Sequence, residues 1–300
     1  MIEDINKRDE LAPSLSGGTG DPILSIDRLC KSQIHNAPDS HSVDGRLQII
    51  DNVSFDVRDG EFVTMIGPSG CGKSTMLNVI AGLEKYDSGD VIVTGHRISS
   101  TGPDIVMIFQ EDALFPWLTV EENVEFGLRQ KGVPKKERRE LAGEYIEMVE
   151  LGRFAKSHIH QLSGGMKQRV AIARGLALNP RILLMDEPFG ALDARTREYL
   201  QNELHQIHQK TKKTILFVTH DIREAVFLGD RVILFTRRPA RIKQQYLVDL
   251  PRPRDPEDPA LQGIISAVLR DLKEEAEGEE YFGEESARKE KPRSKLLLPS

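Results

Sequence analysis

Apolar and polar residues alternate along this chain in patterns that predict short strands and amphipathic helices. Val53, Phe55 and Val57 are separated by single polar residues and precede an Asp59-Gly60 turn, which predicts an antiparallel strand with one buried face. Later apolar runs are nearly continuous, as is typical of strands buried on both faces of a parallel sheet. These runs cover residues 61–66, 105–109, 182–185 and 215–218, and a further strand is predicted near Val232.

A helical region is predicted between the second and third of these runs. Leu141, Tyr145, Met148 and Val149 recur at helical spacing, and this stripe is interpreted as packing rather than as a ligand site. After the last predicted strand, the prolines of residues 251–254 break the regular structure. The predicted fold class is therefore α/β: a mostly parallel sheet flanked by helices, with an antiparallel β subdomain before it and a helical subdomain inserted in it.

The polar, poorly periodic ends of the chain suggest four regions. Residues 1–21 are predicted to be disordered, residues 22–255 to form the folded domain, residues 256–273 to form a helix, and residues 274–300 to be a disordered acidic tail. The formal net charge is −6, and residues 271–290, with nine acidic and three basic side chains, account for all of it. No basic face is expected, which argues against a nucleic-acid partner.

Composition favours a cytosolic protein. The chain has 300 residues, of which 39% are hydrophobic, enough to bury one large α/β core and a small helical lobe. No apolar run approaches the ~18 residues of a membrane span, and no signal peptide is recognisable at the start. Cys30 and Cys71 provide no disulfide framework, which fits a reducing compartment.

Residues 67–75 fit the pattern G-x-x-x-x-G-K-[ST] at every position, directly after a predicted strand. In such a loop, backbone N–H groups surround an anion, Lys73 reaches the β- and γ-phosphates of a nucleotide, and Ser74 holds Mg²⁺. By itself this P-loop leaves GTPases, kinases and many ATPases open. The predicted nucleotide-binding residues are Gly67, Pro68, Ser69, Gly70, Cys71, Gly72, Lys73, Ser74 and Thr75.

Further motifs indicate which class of P-loop protein this chain belongs to. In chain order they are Gln110 after a predicted strand, Leu162-Ser163-Gly164-Gly165-Met166 at a helix start, Asp186-Glu187 after an apolar strand, Ala191-Leu192-Asp193, and His220 after another strand. With these motifs in this order, residues 22–255 resemble the ATP-binding subunits of ABC transporters. The resemblance implies a P-loop NTPase core, a helical signature subdomain, and ATP hydrolysis coupled to transport.

The residues around the predicted phosphate site suggest distinct roles. Asp186 ends a buried strand and is expected to hold Mg²⁺ together with Ser74. Glu187, one residue later, is the candidate general base that activates water, against the alternative of an ordinary carboxylate at a helix start. His220 is expected to sense the γ-phosphate, against the alternative of a structural histidine. The resemblance implies that Gln110 contacts Mg²⁺ and water and reports the nucleotide state to a membrane partner.

The signature motif implies an assembly. In the family that the sequence resembles, Ser163, Gly164 and Gly165 meet the γ-phosphate held by the P-loop of another subunit, and Asp193 belongs to the D-loop. Catalysis would then require two copies of the chain, or this chain and a paralogue, around two ATP molecules. Met166 replaces the commoner glutamine but leaves the anion-binding serine and glycines unchanged.

One departure from the family pattern concerns the adenine base. The family usually stacks adenine on an aromatic residue shortly after the first strand, where this chain has Gln33. His35 or His41, in a polar insertion, could stack on the base instead, against the alternative of solvated loop histidines. Adenine affinity and base selectivity are therefore open.

Met166 and three segments resemble nitrate, sulfonate and taurine importers: residues 115–124, residues 237–242 and residues 249–254. The resemblance implies membrane permease subunits as partners, a solute-binding protein as an indirect partner, and a peripheral position on the cytoplasmic face of the inner membrane. Because the solute does not touch this subunit, its residues do not identify the solute. The alternatives are a soluble ABC ATPase not coupled to transport and a nucleotide-binding regulatory protein without turnover.

Two side chains carry further hypotheses. Cys71 lies in an anion-binding loop at a helix start, so enhanced thiolate character is expected, against the alternative of a residue that fills a variable loop position. Trp117 is the single tryptophan. It is predicted to anchor a coupling helix of the permease, against the alternative of a packed core tryptophan.

Overall fold

The computed structural model describes residues 21–34, 42–43, 45–110 and 113–289, with residues 42–43 and 276–289 as backbone only. The strands are β1 (Leu24–Ile34), β2 (Ser42–Val43), β3 (Arg46–Val57), β4 (Phe62–Ile66), β5 (Ser88–Val93), β6 (His96–Arg97), β7 (Ile105–Ile108), β8 (Ile182–Asp186), β9 (Thr214–Val218), β10 (Arg231–Phe235) and β11 (Ile242–Leu247). The helices are α1 (Lys73–Ile80), α2 (Val120–Gln130), α3 (Lys135–Met148), α4 (Gly164–Ala177), α5 (Ala194–Thr211), α6 (Ile222–Leu228) and α7 (Pro259–Lys289).

The described strands form two sheets. A six-stranded sheet has the order β11-β10-β4-β9-β8-β7, and its strands are parallel except for β11, which pairs antiparallel with β10. A five-stranded antiparallel sheet has the order β2-β3-β1-β5-β6. The predicted fold class, a mostly parallel sheet with an N-terminal antiparallel subdomain, is confirmed.

The central strands are buried on both faces, which explains why their apolar runs are continuous. In β8, Ile182 and Leu184 pack into a core shared with the antiparallel sheet and α1, whereas Leu183 and Met185 pack into a second core with α2, α4 and α5. All four side chains are 0% exposed. Because both faces of the strand are covered, no position along it favours a polar residue.

The helical subdomain comprises α2, α3 and the start of α4. Val149 is buried, and Leu141, Tyr145 and Met148 are partly buried against the second core. The predicted helical stripe is therefore packing, as expected. Thr119 and Glu122 form a reciprocal capping box at the start of α2, which fixes the end of the loop that precedes it.

The C-terminal helix differs from its predicted limits. It begins at Pro259 rather than 256 and continues to Lys289. It therefore includes residues 274–289, which were expected to be disordered. The acidic run is rich in glutamate, which has a high helix propensity. Leu261, Ile265 and Val268 are buried in the first turns of the helix. Residues 1–20 and 290–300, for which disorder was also predicted, lie outside the described residues.

Among the described residues, none of the helices combines the length and the apolar character that a membrane crossing requires.

Candidate active site

Four neighbouring parallel strands deliver the predicted site residues to one edge of the sheet. The P-loop follows β4, Asp186 ends β8, and His220 and Gln110 lie just beyond β9 and β7. Since the carboxyl ends of parallel strands meet at the same edge, residues far apart in sequence come together there.

The P-loop backbone requires its glycines. Gly72 has a φ of 123°, and a Cβ atom at this position would lie 3.0 Å from Ile49 Cγ2. Lys73 is 7% exposed, and its Nζ donates to the carbonyl oxygens of Gly67 at 2.9 Å and Pro68 at 3.0 Å. The loop thus holds a buried ammonium group at the base of an anion site.

Ser74 and Asp186 come together across 112 positions of sequence. The Ser74 hydroxyl donates to Asp186 Oδ1 at 3.0 Å. Burial raises the pKa of Asp186, and the neighbouring Glu187 carboxylate raises it further, while the Ser74 hydrogen bond and Lys73 lower it. A desolvated carboxylate beside a hydroxyl oxygen is a donor set that suits Mg²⁺, which prefers oxygen ligands.

Glu187 and His220 form a pair at the same edge. His220 Nδ1 lies 3.0 Å from Glu187 Oε2. Glu187 has a φ of 43°, a left-handed conformation that is uncommon for a residue other than glycine. A methyl group on Gly190 would lie 3.4 Å from Gln110 Nε2 and 3.7 Å from Glu187 Oε2. Gln110, Glu187 and His220 therefore converge around Gly190.

A cavity of about 450 Å³ opens beside the P-loop. Its lining combines P-loop residues and Glu187 with the ends of two strands of the antiparallel sheet. The lining residues are Gln33, Ile34, Leu47, Ile49, Ser69, Gly70, Gly72, Lys73, Ser74, Thr75, Glu187 and Arg238. Gln33 lies at the position expected to contact the base, whereas His35 and His41 lie outside the described residues.

The signature and D-loop residues do not line this cavity. Ser163 is the N-cap of α4, and its Oγ accepts from the Met166 backbone N–H at 3.4 Å. A Cβ atom on Gly165 would lie 2.5 Å from Thr196 Cγ2, so this glycine allows α4 to approach α5 closely. Asp193 caps α5 by accepting from the Thr196 N–H at 3.1 Å. The P-loop and the signature are thus separate parts of the subunit.

Comparison with known proteins identifies the family. Residues 50–190 match the ABC transporter family. An uncharacterised ABC transporter ATP-binding protein of Methanocaldococcus jannaschii is 48% identical over 257 residues, which cover 85% of this chain and 96% of the relative. The chain belongs to the ABC transporter ATP-binding proteins.

Relatives of this ABC protein include importer subunits. The aliphatic sulfonates import ATP-binding protein SsuB of Bacillus cereus is 46% identical over 228 residues, 75% of this chain and 89% of the relative. The nitrate import ATP-binding protein NrtD of Synechocystis is 47% identical over 207 residues, 69% of this chain and 78% of the relative. The resemblance to the nitrate and sulfonate importer ATPases is confirmed.

Solved structures of ABC transporter cassettes have a similar fold. The dimeric structure of a bacterial ABC transporter cassette aligns with a TM-score of 0.65 and 35% identity, and covers 76% of this chain and 100% of that one. A dimeric, post-hydrolysis ATP-binding cassette bound to ADP and phosphate aligns with a TM-score of 0.64, the same identity and the same coverage. This ABC protein is an ATPase that binds and hydrolyses ATP.

The expectation for Cys71 of the ABC protein is wrong. Its side chain is 1% exposed, and burial raises the pKa of the thiol despite the opposing effect of Lys73, whose Nζ lies 3.8 Å from Sγ. A thiol that faces the core favours its neutral form. Cys71 therefore packs beneath the P-loop rather than presenting a thiolate to the ligand.

Trp117 is not a core residue of the ABC protein, because its side chain is 70% exposed. Its ring lies 5.6 Å from that of Phe115, which in turn lies 4.3 Å from the ring of Phe126. The buried Asn123 holds this loop: its Oδ1 accepts from the Phe115 N–H at 2.9 Å, and its Nδ2 donates to Thr119 O at 2.9 Å. The loop therefore presents a fixed aromatic surface.

Sequence reasoning missed four cavity residues of the ABC protein, of which Ile34 lies at the end of β1. Leu47 and Ile49 follow the alternation of β3, so that pattern predicts which face they share, but not that this face meets a P-loop from elsewhere in the chain. Arg238 follows β10 and reaches the cavity through a loop, for which neither period nor motif gives a signal.

Proposed function

We propose that this chain is the ATP-hydrolysing subunit of an importer, and that it drives a small anion such as nitrate, a sulfonate or taurine through separate permease subunits. The import proteins of Bacillus cereus and Synechocystis support this assignment. The proposal that the chain hydrolyses ATP for this transport rests on four side chains at the edge of the P-loop cavity. Ser74 contacts Asp186, and Glu187 contacts His220.

The phosphate chain of ATP would lie along the P-loop. The backbone N–H groups of the loop and the start of α1 favour negative charge, and Lys73 adds a formal positive charge. Ser74, Asp186 and Gln110 are the candidate Mg²⁺ ligands, directly or through water. When bound, Mg²⁺ would neutralise charge on the phosphate oxygens.

Glu187 is the proposed general base. Its carboxylate accepts a proton from the water that attacks the γ-phosphorus, and the hydrogen bond to His220 Nδ1 orients that carboxylate. In this role, His220 would respond to the presence of the γ-phosphate. Gln110, beside Gly190, links this rim to the loop that carries Trp117.

Each complete site would combine two subunits. The P-loop cavity of one subunit supplies most of the ATP contacts, and Ser163, Gly164 and Gly165 of the other supply N–H groups at the start of α4. Asp193 would lie at the same junction. The dimeric cassette structures support a pair of subunits, either two copies of this chain or this chain and a paralogue.

A permease would dock on the aromatic surface around Trp117, which positions the subunit at the cytoplasmic face of the inner membrane as a peripheral protein. A solute-binding protein would act through the permease and not through this chain. A large exposed aromatic side chain in a rigid loop is the kind of anchor that interfaces favour.

The test is transport. The subunit is copurified from detergent-solubilised membranes with the permease that it retains, and the complex is placed in vesicles with nitrate or an aliphatic sulfonate. Import predicts ATP-dependent solute accumulation that disappears when Glu187→Gln replaces the native subunit. If the subunit hydrolyses ATP but retains no membrane-spanning protein, the soluble ABC ATPase is the better assignment.

A further inference from the structure

A loop after β10 connects three parts of the molecule at the ATP cavity. The loop covers residues 236–241 and is closed by the Thr236 N–H donating to Arg241 O at 2.9 Å. It pairs with β3, because the Ala240 N–H donates to Ile49 O at 2.8 Å and the Asp51 N–H donates to Ala240 O at 3.0 Å. The loop is thus fixed to the strand that forms the apolar wall of the cavity.

Three arginines of this loop have different partners. The Arg237 guanidinium donates to Glu275 O of α7 at 2.8 Å, and its backbone N–H approaches Glu275 Oε2 at 3.3 Å. Arg241 forms an ion pair with Asp51, to which its Nε donates at 2.8 Å. Both side chains are therefore committed to neighbours within the subunit.

Arg238 is the exception. Its Nε and Nη2 donate to the Gly70 carbonyl oxygen of the P-loop at 3.2 and 2.9 Å, and it lines the cavity. Among the described residues, no carboxylate lies within ion-pair distance of it. A guanidinium has five N–H donors, so a single carbonyl oxygen leaves most of them available.

The chemistry of this position favours an anion. A half-buried cation without a carboxylate stabilises negative charge nearby more strongly than an exposed one, because less water screens it. Arginine also binds phosphate oxygens through two parallel hydrogen bonds, which a lysine cannot do. Lys73, the other cation of the cavity, is already hydrogen-bonded within the P-loop.

We propose that Arg238 is an additional ATP-binding residue, which contacts the phosphate chain from beside Gly70. Its position is set from outside the P-loop, by the pairing of its loop with β3 and by the contact of Arg237 with α7. Affinity for the nucleotide then depends in part on a residue that no motif of the P-loop includes.

The test compares ligands that share phosphates but differ in the base. Binding of ATP, GTP and inorganic tripolyphosphate is measured without Mg²⁺, so that hydrolysis does not interfere, by competition with a fluorescent ATP analogue. Arg238→Gln should weaken all three by a similar factor of about ten, the low end for a hydrogen bond to a charged group. The factor should shrink as the salt concentration rises.

Two variants serve as controls. Arg241→Gln removes a charge from the same loop but not from the cavity. It should change the three affinities by less than about twofold, because water and salt screen the exposed Arg241 side chain from the ligand. Arg238→Lys keeps the charge without the paired donors to Gly70 and should recover part of the lost affinity for each ligand.

Three results would overturn the proposal. One is unchanged affinity for all three ligands in Arg238→Gln. Another is a loss of affinity for ATP alone, which would indicate that Arg238 contacts adenine. The third is a lysine variant that binds no better than the glutamine variant while both melt at a lower temperature without nucleotide, which would indicate that Arg238 only braces the P-loop.

Discussion

Glu187 combines a proposed chemical role with an unfavourable backbone conformation. Its φ of 43° costs free energy for a side chain with a Cβ atom, yet it directs the carboxylate toward His220 rather than along the strand that carries Asp186. Two adjacent carboxylates thereby serve different purposes. The turn that separates them is as much a part of the site as the residues themselves.

Glu187→Gln tests that separation. The amide keeps the size of the side chain and can still hydrogen-bond to His220, but it cannot accept a proton from water. ATP should bind with unchanged affinity while steady-state phosphate release slows by roughly 10² to 10⁴, as is typical of general-base loss. Glu137→Gln, an exposed change on α3, is the control and should hydrolyse ATP normally. A Glu187→Gln rate equal to that of the control would exclude this role.

At the scale of elements, a buried network of ionisable groups joins α5 to the segment that follows β11. His205 is 3% exposed, and Arg252 Nη1 donates to its Nδ1 at 3.0 Å. Burial, reinforced by Arg252 and Arg254, lowers the pKa of His205 to about 4. The nearby His208, also buried, has a lowered pKa for the same main reason, and its Nε2 lies 3.0 Å from Gly60 O.

This network predicts a pH dependence of stability. The unfolded chain takes up a proton on His205 near pH 6.5, whereas the folded chain does so only near pH 4. The His205 contribution is therefore fully present above pH 6.5 and is lost as the pH falls toward 4, with a slope of at most about 1.4 kcal/mol per pH unit.

Urea unfolding of the wild type and of His205→Asn at several pH values between 7.5 and 4 measures this slope. The variant should be less stable at neutral pH but should lose less stability on acidification. His96→Asn, at an exposed position of β6, should follow the wild type. If the free energy of unfolding changes equally with pH in the wild type and in His205→Asn, this histidine does not link protonation to folding.

Elements were predictable where a local pattern determines them. The buried strands and the loop after β4 follow from apolar runs and from glycine spacing, both of which are properties of a few consecutive residues. The continuation of α7 past residue 273 was missed because polar composition was taken to indicate disorder, whereas contacts of Lys243 with Glu274 and Glu275 help to hold the helix. Arg238 and the burial of Cys71 depend on distant segments, and no local pattern encodes them.

At the scale of the whole molecule, the surface around Trp117 is the candidate contact with a permease. Trp117→Ala should barely change the melting temperature, since exposed substitutions usually alter stability by less than ~0.5 kcal/mol. Basal ATPase activity of the isolated subunit should persist, while copurification with the permease is lost. The measurements are thermal melting, phosphate release and a membrane pull-down on the same preparation.

Leu247→Ala is the matched control, because Leu247 is also a large exposed apolar residue, 53% exposed, but lies on the edge strand β11. It should retain the permease. Retention of the permease by Trp117→Ala would place the docking surface elsewhere on the subunit.

The separation of the signature from the P-loop cavity has a consequence for inheritance. Suppose that a cell makes two defective forms of this subunit, one with a damaged P-loop and one with a damaged Ser163. If two subunits share each site as proposed, a mixed pair confines both lesions to one of its two sites and leaves the other intact. Two gene copies that each fail alone would then support each other, whereas two copies damaged in the same motif would not.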